Sequence, residues 1–347
     1  MPKLSNSVIG VDLGRYALKG VLLQRRGGKV ALTNYAVHVR TDGGSESSES
    51  LAGELKSLFQ KMGGRALACS VGVSRADSIL RIIEQPQTPP EILREAVRLN
   101  GMTLLNKEVK DFVLDCDLIE PAASNGVPQP PQLGGTRKYL VGGLPRMGVT
   151  QIAEAFQQSR GTLDAVQLAP ICLFNAFEFA RGENFANEAF VLVDIGHGSS
   201  TVTVGVKKEL VLVRSIDYGG RVLMESLTGG GGMAEPQAVL DLLDRGDETL
   251  VYNARNSLSV LTREIGSSIG FFEGRHEETI ARIFVSGGAV RKSILTILTE
   301  ELQIPCEKWN PFENCEMALQ AKAQEEFERE LPSLTVACGA AAEFLKA

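Results

Sequence analysis

Alternating apolar and polar positions open the chain and predict an antiparallel β-meander. The three predicted strands are Ser7–Val11, Ala17–Leu23 and Val30–Val39, and short turns separate them. Beyond a serine-rich loop, apolar residues at helical spacing predict a helix over 51–59, and Ala68–Val73 returns as a strand. The chain therefore begins as a meander that is followed by one helix and one further strand.

The opening meander is predicted a second time in the other half of the chain. Its strands are Phe190–Val193, Thr201–Val206 and Leu210–Ile216. In each copy an aspartate, Asp12 or Asp194, follows the first apolar strand, and a glycine stands two positions later. Self-similarity at this separation indicates a duplication of whole lobes rather than a solenoid repeat.

A small α/β module is predicted between the two copies. Short strands at Ile79–Ile83, Val113–Ile119 and Tyr139–Leu144 alternate with helices, one of which begins at Pro90. The stretch Pro121–Gly135 contains four prolines and three glycines. Such a stretch has too few side chains that can pack in a core, so it is predicted to be a mobile hairpin tip.

The last third of the chain is more helical. An apolar stripe over 250–272 predicts a long amphipathic helix. The strand Ile283–Val285 ends in a glycine turn at Ser286–Ala289, and helices are predicted at Ile294–Leu302 and Leu334–Leu345. The pattern as a whole predicts an α/β fold with two duplicated lobes and one inserted small α/β subdomain.

Composition narrows the class of protein. The chain has 347 residues, a net charge of −6 and 44% hydrophobic residues, which excludes general disorder and argues against binding to nucleic acid. Its six cysteines form no CxxC pair and have no histidine at zinc-site spacing, so they are expected to be reduced and buried. No leader and no apolar run of about 18 residues is present, which predicts a cytoplasmic location without membrane insertion.

The candidate chemistry lies in the turns that follow the two aspartates. A glycine in such a turn lets a ligand approach the backbone, and exposed N–H groups there can hold an anion. Asp12 and Asp194 add oxygen ligands of the kind that Mg²⁺ uses beside nucleotide phosphates. One aspartate-glycine turn is commonly just a turn, but two copies and a third turn at Ser286–Ala289 favour a nucleotide site.

Three segments carry a resemblance to a known superfamily. Val8–Gly14 with Lys19, Val191–Ser200 and Phe284–Ala289 resemble the phosphate-1, phosphate-2 and adenosine motifs of the actin-like ATPases. Within that superfamily the chain most resembles the PilM-type proteins of type IV pilus assembly, which are related to FtsA. The resemblance extends from Val8 to the C-terminal helix and implies the actin-like, ribonuclease H-like fold.

The resemblance also implies a division of the chain. Residues 1–75, 164–190 and 332–347 would form the first actin-like lobe. Residues 76–163 would form the inserted FtsA- or PilM-like subdomain, and residues 191–331 would form the second lobe.

ATP and Mg²⁺ are the cofactors that the resemblance implies, with Asp12 and Asp194 as metal ligands. The other nucleotide-binding residues carried over by position are Gly14, Arg15, Lys19, Gly196, His197, Gly198, Ser199, Ser200, Gly219, Gly220, Glu264, Ser268, Gly287, Gly288 and Ala289. Without the resemblance, Glu264 and Ser268 would be assigned to a solvated helix face, and Lys19 to the polar side of a strand. His197 is interpreted as a spacer rather than a base.

Two departures from the pattern bear on turnover. Arg15 and Tyr16 stand where relatives have small hydroxyl residues, and Arg15 either pairs with a phosphate or is solvated. Relatives carry an acidic residue before the proline of the connecting helix, whereas Ala169 precedes Pro170 here. The sequence therefore predicts nucleotide binding with weak or absent hydrolysis, and no catalytic residue is assigned.

The function implied is that of an ATP-binding scaffold in type IV pilus or related type II secretion assembly. Its partner would be a single-span inner-membrane protein of the PilN type, bound through the cytoplasmic N-terminal segment, and self-association is also compatible with the resemblance. This partner would recruit the chain to the inner face of the membrane. An FtsA-like division filament and a small-molecule kinase of the same fold are the alternatives.

Overall fold

The computed structural model describes residues 6–41, 47–63, 68–119, 135–229, 236–319 and 321–346. The elements up to the end of the inserted module are β1 (Ser7–Leu13), β2 (Ala17–Arg26), β3 (Lys29–Val39), α1 (Ser48–Lys61), β4 (Ala68–Val73), β5 (Ile79–Pro86), α2 (Pro90–Leu99), α3 (Gly101–Leu105), β6 (Phe112–Leu118), β7 (Thr136–Pro145) and α4 (Arg146–Ser159). These elements confirm the predicted meander and the three predicted strands of the module.

The elements from there to the second glycine-rich turn are β8 (Thr162–Leu168), α5 (Ala169–Ala180), α6 (Gly182–Asn187), β9 (Ala189–Ile195), β10 (Ser200–Val206) and β11 (Glu209–Ile216). The remaining elements are α7 (Gly220–Thr228), α8 (Pro236–Asp244), α9 (Glu248–Glu273), β12 (Ile283–Ser286), α10 (Lys292–Leu302), β13 (Cys306–Lys308), β14 (Cys315–Met317), α11 (Ala321–Glu330), a 3₁₀ turn (Leu331–Leu334) and α12 (Thr335–Lys346). Among the described helices, none is both long enough and apolar enough to cross a membrane.

Two of the sheets have the same strand order, as a duplication requires. In the first sheet the order is β14-β3-β2-β1-β4-β8, and in the second it is β11-β10-β9-β12-β13. In each sheet the opening strand pairs antiparallel with the next strand and parallel with a strand that follows a helix. The two sheets therefore have equivalent strand orders, with β1 and β9 in the same place, and the first sheet has one extra edge strand, β14.

Two helices, α5 and α12, lie between the two sheets. Alanine and glycine positions let these helices and β1 approach closely, because a Cβ at Gly10 would collide with the backbone of Ala337. The outer face of the first sheet is covered by α1 and α4, with Leu55, Leu58 and Phe156 in its core. The second sheet has its own core beneath α7 to α10.

The inserted module has a separate three-stranded sheet in the order β5-β7-β6, with its own apolar core beneath α2 and α3. Lys138 on β7 reaches the second lobe, where its Nζ lies 2.5 Å from Oε1 of Glu209 on β11. The predicted hairpin tip at 121–135 falls almost wholly outside the described residues, and β6 and β7 on either side of it pair antiparallel.

Three features differ from the sequence-based expectations. Asp12 and Leu13 lie within β1 rather than in the turn, because the ladder with β2 continues through Leu13 and Leu18. Strand β8 has no long apolar run and was not predicted. The division of the chain into lobes stays a proposal. Two elements pack outside the part to which it assigns them: α4 of the inserted subdomain packs on the first sheet, and β14 of the second lobe pairs with β3 of the first.

Candidate functional site

The first hairpin, β1–β2, places an ion pair at its end. Asp12 and Lys19 are direct cross-strand partners, and Lys19 Nζ lies 2.8 Å from Asp12 Oδ2. Both side chains are largely buried, at 9% exposure for Asp12 and 18% for Lys19. Burial lowers the pKa of Lys19, but the negative charges of Asp12, Asp194 and Glu330 outweigh it, so the pKa is raised above its usual value. The ammonium group is therefore charged at all physiological pH values.

The second hairpin, β9–β10, places Asp194 in the equivalent position, with a different neighbour. Ser286 on the parallel strand β12 stands beside Asp194 and donates a hydrogen bond from Oγ to Oδ1, at 2.8 Å. Desolvation raises the pKa of Asp194 to about 6, helped by the charge of Asp12 and opposed by Ser286 and Lys19. The ring of Tyr16 in the first hairpin stacks on that of His197 in the second, so the two hairpin ends face one another, and the charges of Asp12 and Lys19 act on Asp194.

The third turn lies against the end of β9. Gly287 has φ of +105°, and a Cβ there would lie 2.2 Å from the carbonyl oxygen of Ile195, so glycine is required at this position. Its N–H donates to the carbonyl of Pro332, which ties the turn to the segment before α12. A Cβ at Gly288 would meet nothing within 4 Å, so this backbone is open to a ligand.

The start of α7 braces the second hairpin. The N–H groups of Gly220 and Arg221 donate to the carbonyls of Gly196 and His197 at 2.8 and 2.9 Å. Gly219 is at the N-cap of this helix, and a Cβ there would lie 2.6 Å from the carbonyl oxygen of His197. The close contact explains the glycine at 219. A Cβ at Gly220 would lie 3.4 Å from the Cβ of Ala289, which places the third turn beside the start of α7.

Several predicted ligands already have partners within the protein. The hydroxyl of Ser200 is fully buried and donates to the carbonyl of Tyr218 at 2.7 Å, whereas Ser199 remains half-buried in the turn. On α9, Glu264 pairs with Arg214, and the buried Ser268 donates to the Glu264 carbonyl. No hydrogen bond or ion pair between described residues joins Glu264 or Ser268 to the two aspartate hairpins.

The tips of the two hairpins meet at the mouth of the site. The ring of Tyr16 stacks on that of His197, with centroids 5.0 Å apart and an interplanar angle of 25°. Desolvation and the nearby charges of Arg221, Arg15 and Lys19 lower the pKa of His197, so this imidazole is neutral at pH 7. A cleft of about 430 Å³ opens here and is lined by Arg15, Tyr16, Arg40, His197, Gly198, Asp217 and Arg221.

The connecting helix α5 is preceded by a glutamine that serves the fold. The Nε2 of Gln167 donates to Ser70 Oγ at 2.8 Å and to the carbonyl of Ala340 at 3.2 Å, which links β4, β8 and α12. Ala169 begins the helix and has no side chain that could orient water. The position directly before Pro170 therefore offers no carboxylate to the site.

The structure brings together most of the predicted residues and adds some that sequence reasoning missed. Ser286 was recognised only as part of the third turn and was not assigned a role, and Tyr16, Asp217 and Arg221 were not assigned to the site. Ser286 could have been found from its place at the end of a strand, directly before the glycine turn, but its contact with Asp194 depends on sheet order. For Tyr16 and Arg221, the only sequence feature that pointed to the site was that each directly follows a predicted site residue.

The donor set fits a nucleotide with its cation. Two carboxylates, one ammonium and three turns with accessible backbone are the groups that bind phosphates and Mg²⁺. Among the described residues, no three carboxylate, histidine or cysteine side chains gather in one place. A cation held by Asp12 and Asp194 would therefore need ligands from phosphate or water, which is how Mg²⁺ is usually bound.

Two lobes with the same strand order, joined at facing hairpins, define an actin-like ATPase fold. The structure of a PilM–PilN type IV pilus biogenesis complex matches 99% of this chain and 100% of its own, with a TM-score of 0.82 and 22% identity. The ethanolamine utilization protein EutJ from Carboxydothermus hydrogenoformans matches with a TM-score of 0.55 and 11% identity, over 99% of this chain and 91% of EutJ.

A ROK family glucokinase from Streptomyces griseus, in complex with glucose and AMPPNP, has a TM-score of 0.52 and 12% identity, over 98% of this chain and 100% of the kinase. At these identities the likeness shows the fold alone. The sequence itself shows the family, because the family model for the type IV pilus assembly protein PilM matches residues 10–344 of this chain. The chain belongs to the PilM family.

Proposed function

We propose that the chain binds ATP with Mg²⁺ between the two aspartate hairpins and serves as a scaffold in type IV pilus assembly. The observation that carries the nucleotide proposal is the facing pair of Asp12 and Asp194 at equivalent ends of duplicated hairpins. Asp12 and Asp194 would hold the cation, and Lys19 and the backbone of the turns would hold the phosphates. Bound Mg²⁺ would neutralise phosphate charge.

Binding without efficient turnover follows from the residues around the cleft. Gln167 is held by Ser70 and Ala340, and Ala169 has no polar side chain. His197 is stacked on Tyr16, and a neutral imidazole among three arginines is a poor acceptor for a proton. These residues support a nucleotide-binding scaffold rather than an efficient hydrolase.

Calorimetry with the non-hydrolysable analogue AMP-PNP and Mg²⁺ tests the nucleotide site. We expect Asp12→Ala and Asp194→Ala each to weaken binding more than tenfold, because each removes a cation ligand. Asp115→Ala is the matched control, since this aspartate is 83% exposed in the inserted module. Equal affinity in the wild type and both site variants, with folding verified by circular dichroism, would refute the site.

The partner proposed is the cytoplasmic N-terminal segment of a single-span, PilN-like membrane protein, bound at the inserted module and its borders. It would place the chain at the inner face of the cytoplasmic membrane. Five large apolar side chains among the described residues are more than 60% exposed: Ile92, Leu99, Met102, Met147 and Tyr252. Four of them lie in the module or on α4 beside it, which supports this region as a protein-binding surface.

A synthetic peptide with the N-terminal sequence of the PilN-like protein encoded in the same genome tests the partner surface. We expect Leu99→Ser and Met147→Ser to weaken peptide binding about tenfold in calorimetry, because each removes exposed apolar area at that surface. Tyr252→Ser on α9 is the matched control and is expected to bind normally. If only the control variant lost peptide binding, the proposed surface would be wrong and the peptide would bind at α9 of the second lobe instead.

Neither alternative is favoured by a specific observation. The kinase alternative needs a base beside the hydroxyl of the substrate. The carboxylate that lines the mouth cleft, Asp217, shares this cleft with three arginines. An FtsA-like filament protein would have the same fold, but the family match is to PilM.

A further inference from the structure

Arg15, at the tip of the first hairpin, is a cation that forms no ion pair with any described residue. It stands in the turn between β1 and β2, its side chain is exposed, and no carboxylate among the described residues pairs with it. The other two arginines of the same cleft are satisfied. Arg40 lies 2.8 Å from a carboxylate oxygen of Glu54, and Arg221 lies 2.8 Å from one of Glu225.

The Arg15 side chain reaches from the first lobe to the second. The Nη1 atom lies 3.7 Å from where a Cβ of Gly198 would stand, so the guanidinium lies over the turn of the second hairpin. The neighbouring Tyr16 stacks on His197 of that same turn. The first hairpin thus holds the guanidinium of Arg15 across the space between the turn that follows Asp12 and the turn that follows Asp194.

The place of the Arg15 guanidinium along the site indicates which phosphate of a bound nucleotide it would contact. The glycine turn at 287–289, proposed for the nucleoside, lies against the end of β9 and beside Gly220. Asp12 and Asp194 come next, and Arg15 lies beyond Asp12 at the tip of the hairpin. A polyphosphate chain that starts at the glycine turn and passes the carboxylates would end at Arg15.

We propose that Arg15 recognises the terminal phosphate of a bound nucleoside triphosphate and so makes this chain prefer triphosphate over diphosphate. The proposal rests on the nucleotide site proposed above. A guanidinium offers two parallel N–H donors that match a phosphate, which a single small hydroxyl cannot do. Because Arg15 lies over the turn of the second lobe, the same phosphate would be held by both hairpins.

The test compares the affinities for AMP-PNP and ADP, both with Mg²⁺, in the wild type, Arg15→Ser and Arg15→Lys. Arg15 is exposed in a turn, so the variants are expected to fold, and unchanged thermal unfolding midpoints verify this. Arg26→Ser is the matched control. Arg26 is an exposed arginine at the other end of β2, and among the described residues its side chain hydrogen-bonds only to Gln24.

We expect the wild type and Arg26→Ser to bind AMP-PNP about tenfold more tightly than ADP. Arg15→Ser should lose this preference while its affinity for ADP stays within twofold, and Arg15→Lys should keep part of it. An unchanged AMP-PNP to ADP ratio in Arg15→Ser would overturn the role of Arg15 and leave the nucleotide site standing. Failure of the wild type to bind either nucleotide would overturn the site itself and this role with it.

Discussion

The two aspartate hairpins have equivalent backbones and different electrostatics. In each, the aspartate is the last residue but one of the first strand, with an antiparallel partner on one side and a parallel partner on the other. Asp12 has Lys19 and Gly72 in these places, and Asp194 has Thr201 and Ser286. Duplication has thus kept the ladder and changed the side chains that stand next to the carboxylate.

The consequence is that Asp12 forms an ion pair, whereas Asp194 forms none with any residue that the structure describes. Lys19 compensates the charge of Asp12, whereas Asp194 receives a hydroxyl donor from Ser286 and has its pKa raised to about 6. Charge at Asp194 is therefore costly until a cation arrives. In the nucleotide site proposed above, a cation held by Asp194 would offset this cost.

Asp12→Asn is expected to have the largest effect on stability. It leaves the ammonium of Lys19, which is 18% exposed, without its partner, and we expect a loss of about 2 kcal/mol in the free energy of unfolding at pH 7. Urea unfolding measures it. Asp115→Asn breaks an exposed pair with Arg94 and should cost less than about 0.5 kcal/mol. Equal losses in the two variants would show that Lys19 does not depend on Asp12.

Asp194→Asn is expected to act in the opposite direction. The pKa of Asp194 in the folded protein, about 6, lies above its ordinary value of 3.8, so the folded state binds more protons between these values. Stability contributed by this group is therefore complete below about pH 4 and is lost as the pH rises through 6. Asparagine does not ionise and avoids this loss.

The prediction is that Asp194→Asn stabilises the nucleotide-free protein by on the order of 1 kcal/mol at pH 8 and has little effect at pH 4. Urea unfolding from pH 4 to 8 in EDTA measures the difference between variant and wild type, in which effects of other groups cancel. A variant that is less stable than the wild type at pH 8 would contradict the assigned environment of Asp194.

Ser286→Ala should have the smallest effect of the three. It removes the hydroxyl that donates to Asp194, and we expect a loss of about 0.5–1 kcal/mol at pH 8, where the carboxylate is charged. The same change in the Asp194→Asn background should cost less, since the acceptor is then neutral. The double-mutant cycle would show additive costs if Ser286 acted only through packing.

Much of the fold could be predicted from the hydrophobic pattern. The meanders, the long helix α9 and the glycine turn after β12 follow from local periodicity and turn residues. Strand β8 and the pairing of β14 with β3 did not, because Thr162–Leu168 mixes polar and apolar residues and a three-residue strand carries no periodicity. Their sheet positions depend on contacts with residues far away in the chain.

The candidate site divides in the same way. Asp12, Asp194 and the glycines were found because repeated turn motifs are local. That Ser200 already has a partner could not be found, since its acceptor is set by how β10 meets Tyr218. Ser268 donates to a carbonyl one turn earlier in its own helix, which is a local bond that follows from the helix itself. The stack of Tyr16 on His197 depends on how the two lobes face each other.

Local order along the chain thus suffices to specify two similar hairpins, their aspartates and a turn that requires glycine at 287. Turn geometry and strand alternation depend on residues next to one another, which the sequence displays directly. The charge state of each aspartate does not follow from local order, because Lys19 and Ser286 act through strand pairing and desolvation through packing. The difference between the two carboxylates exists only once the sheets have formed and the lobes have closed on each other.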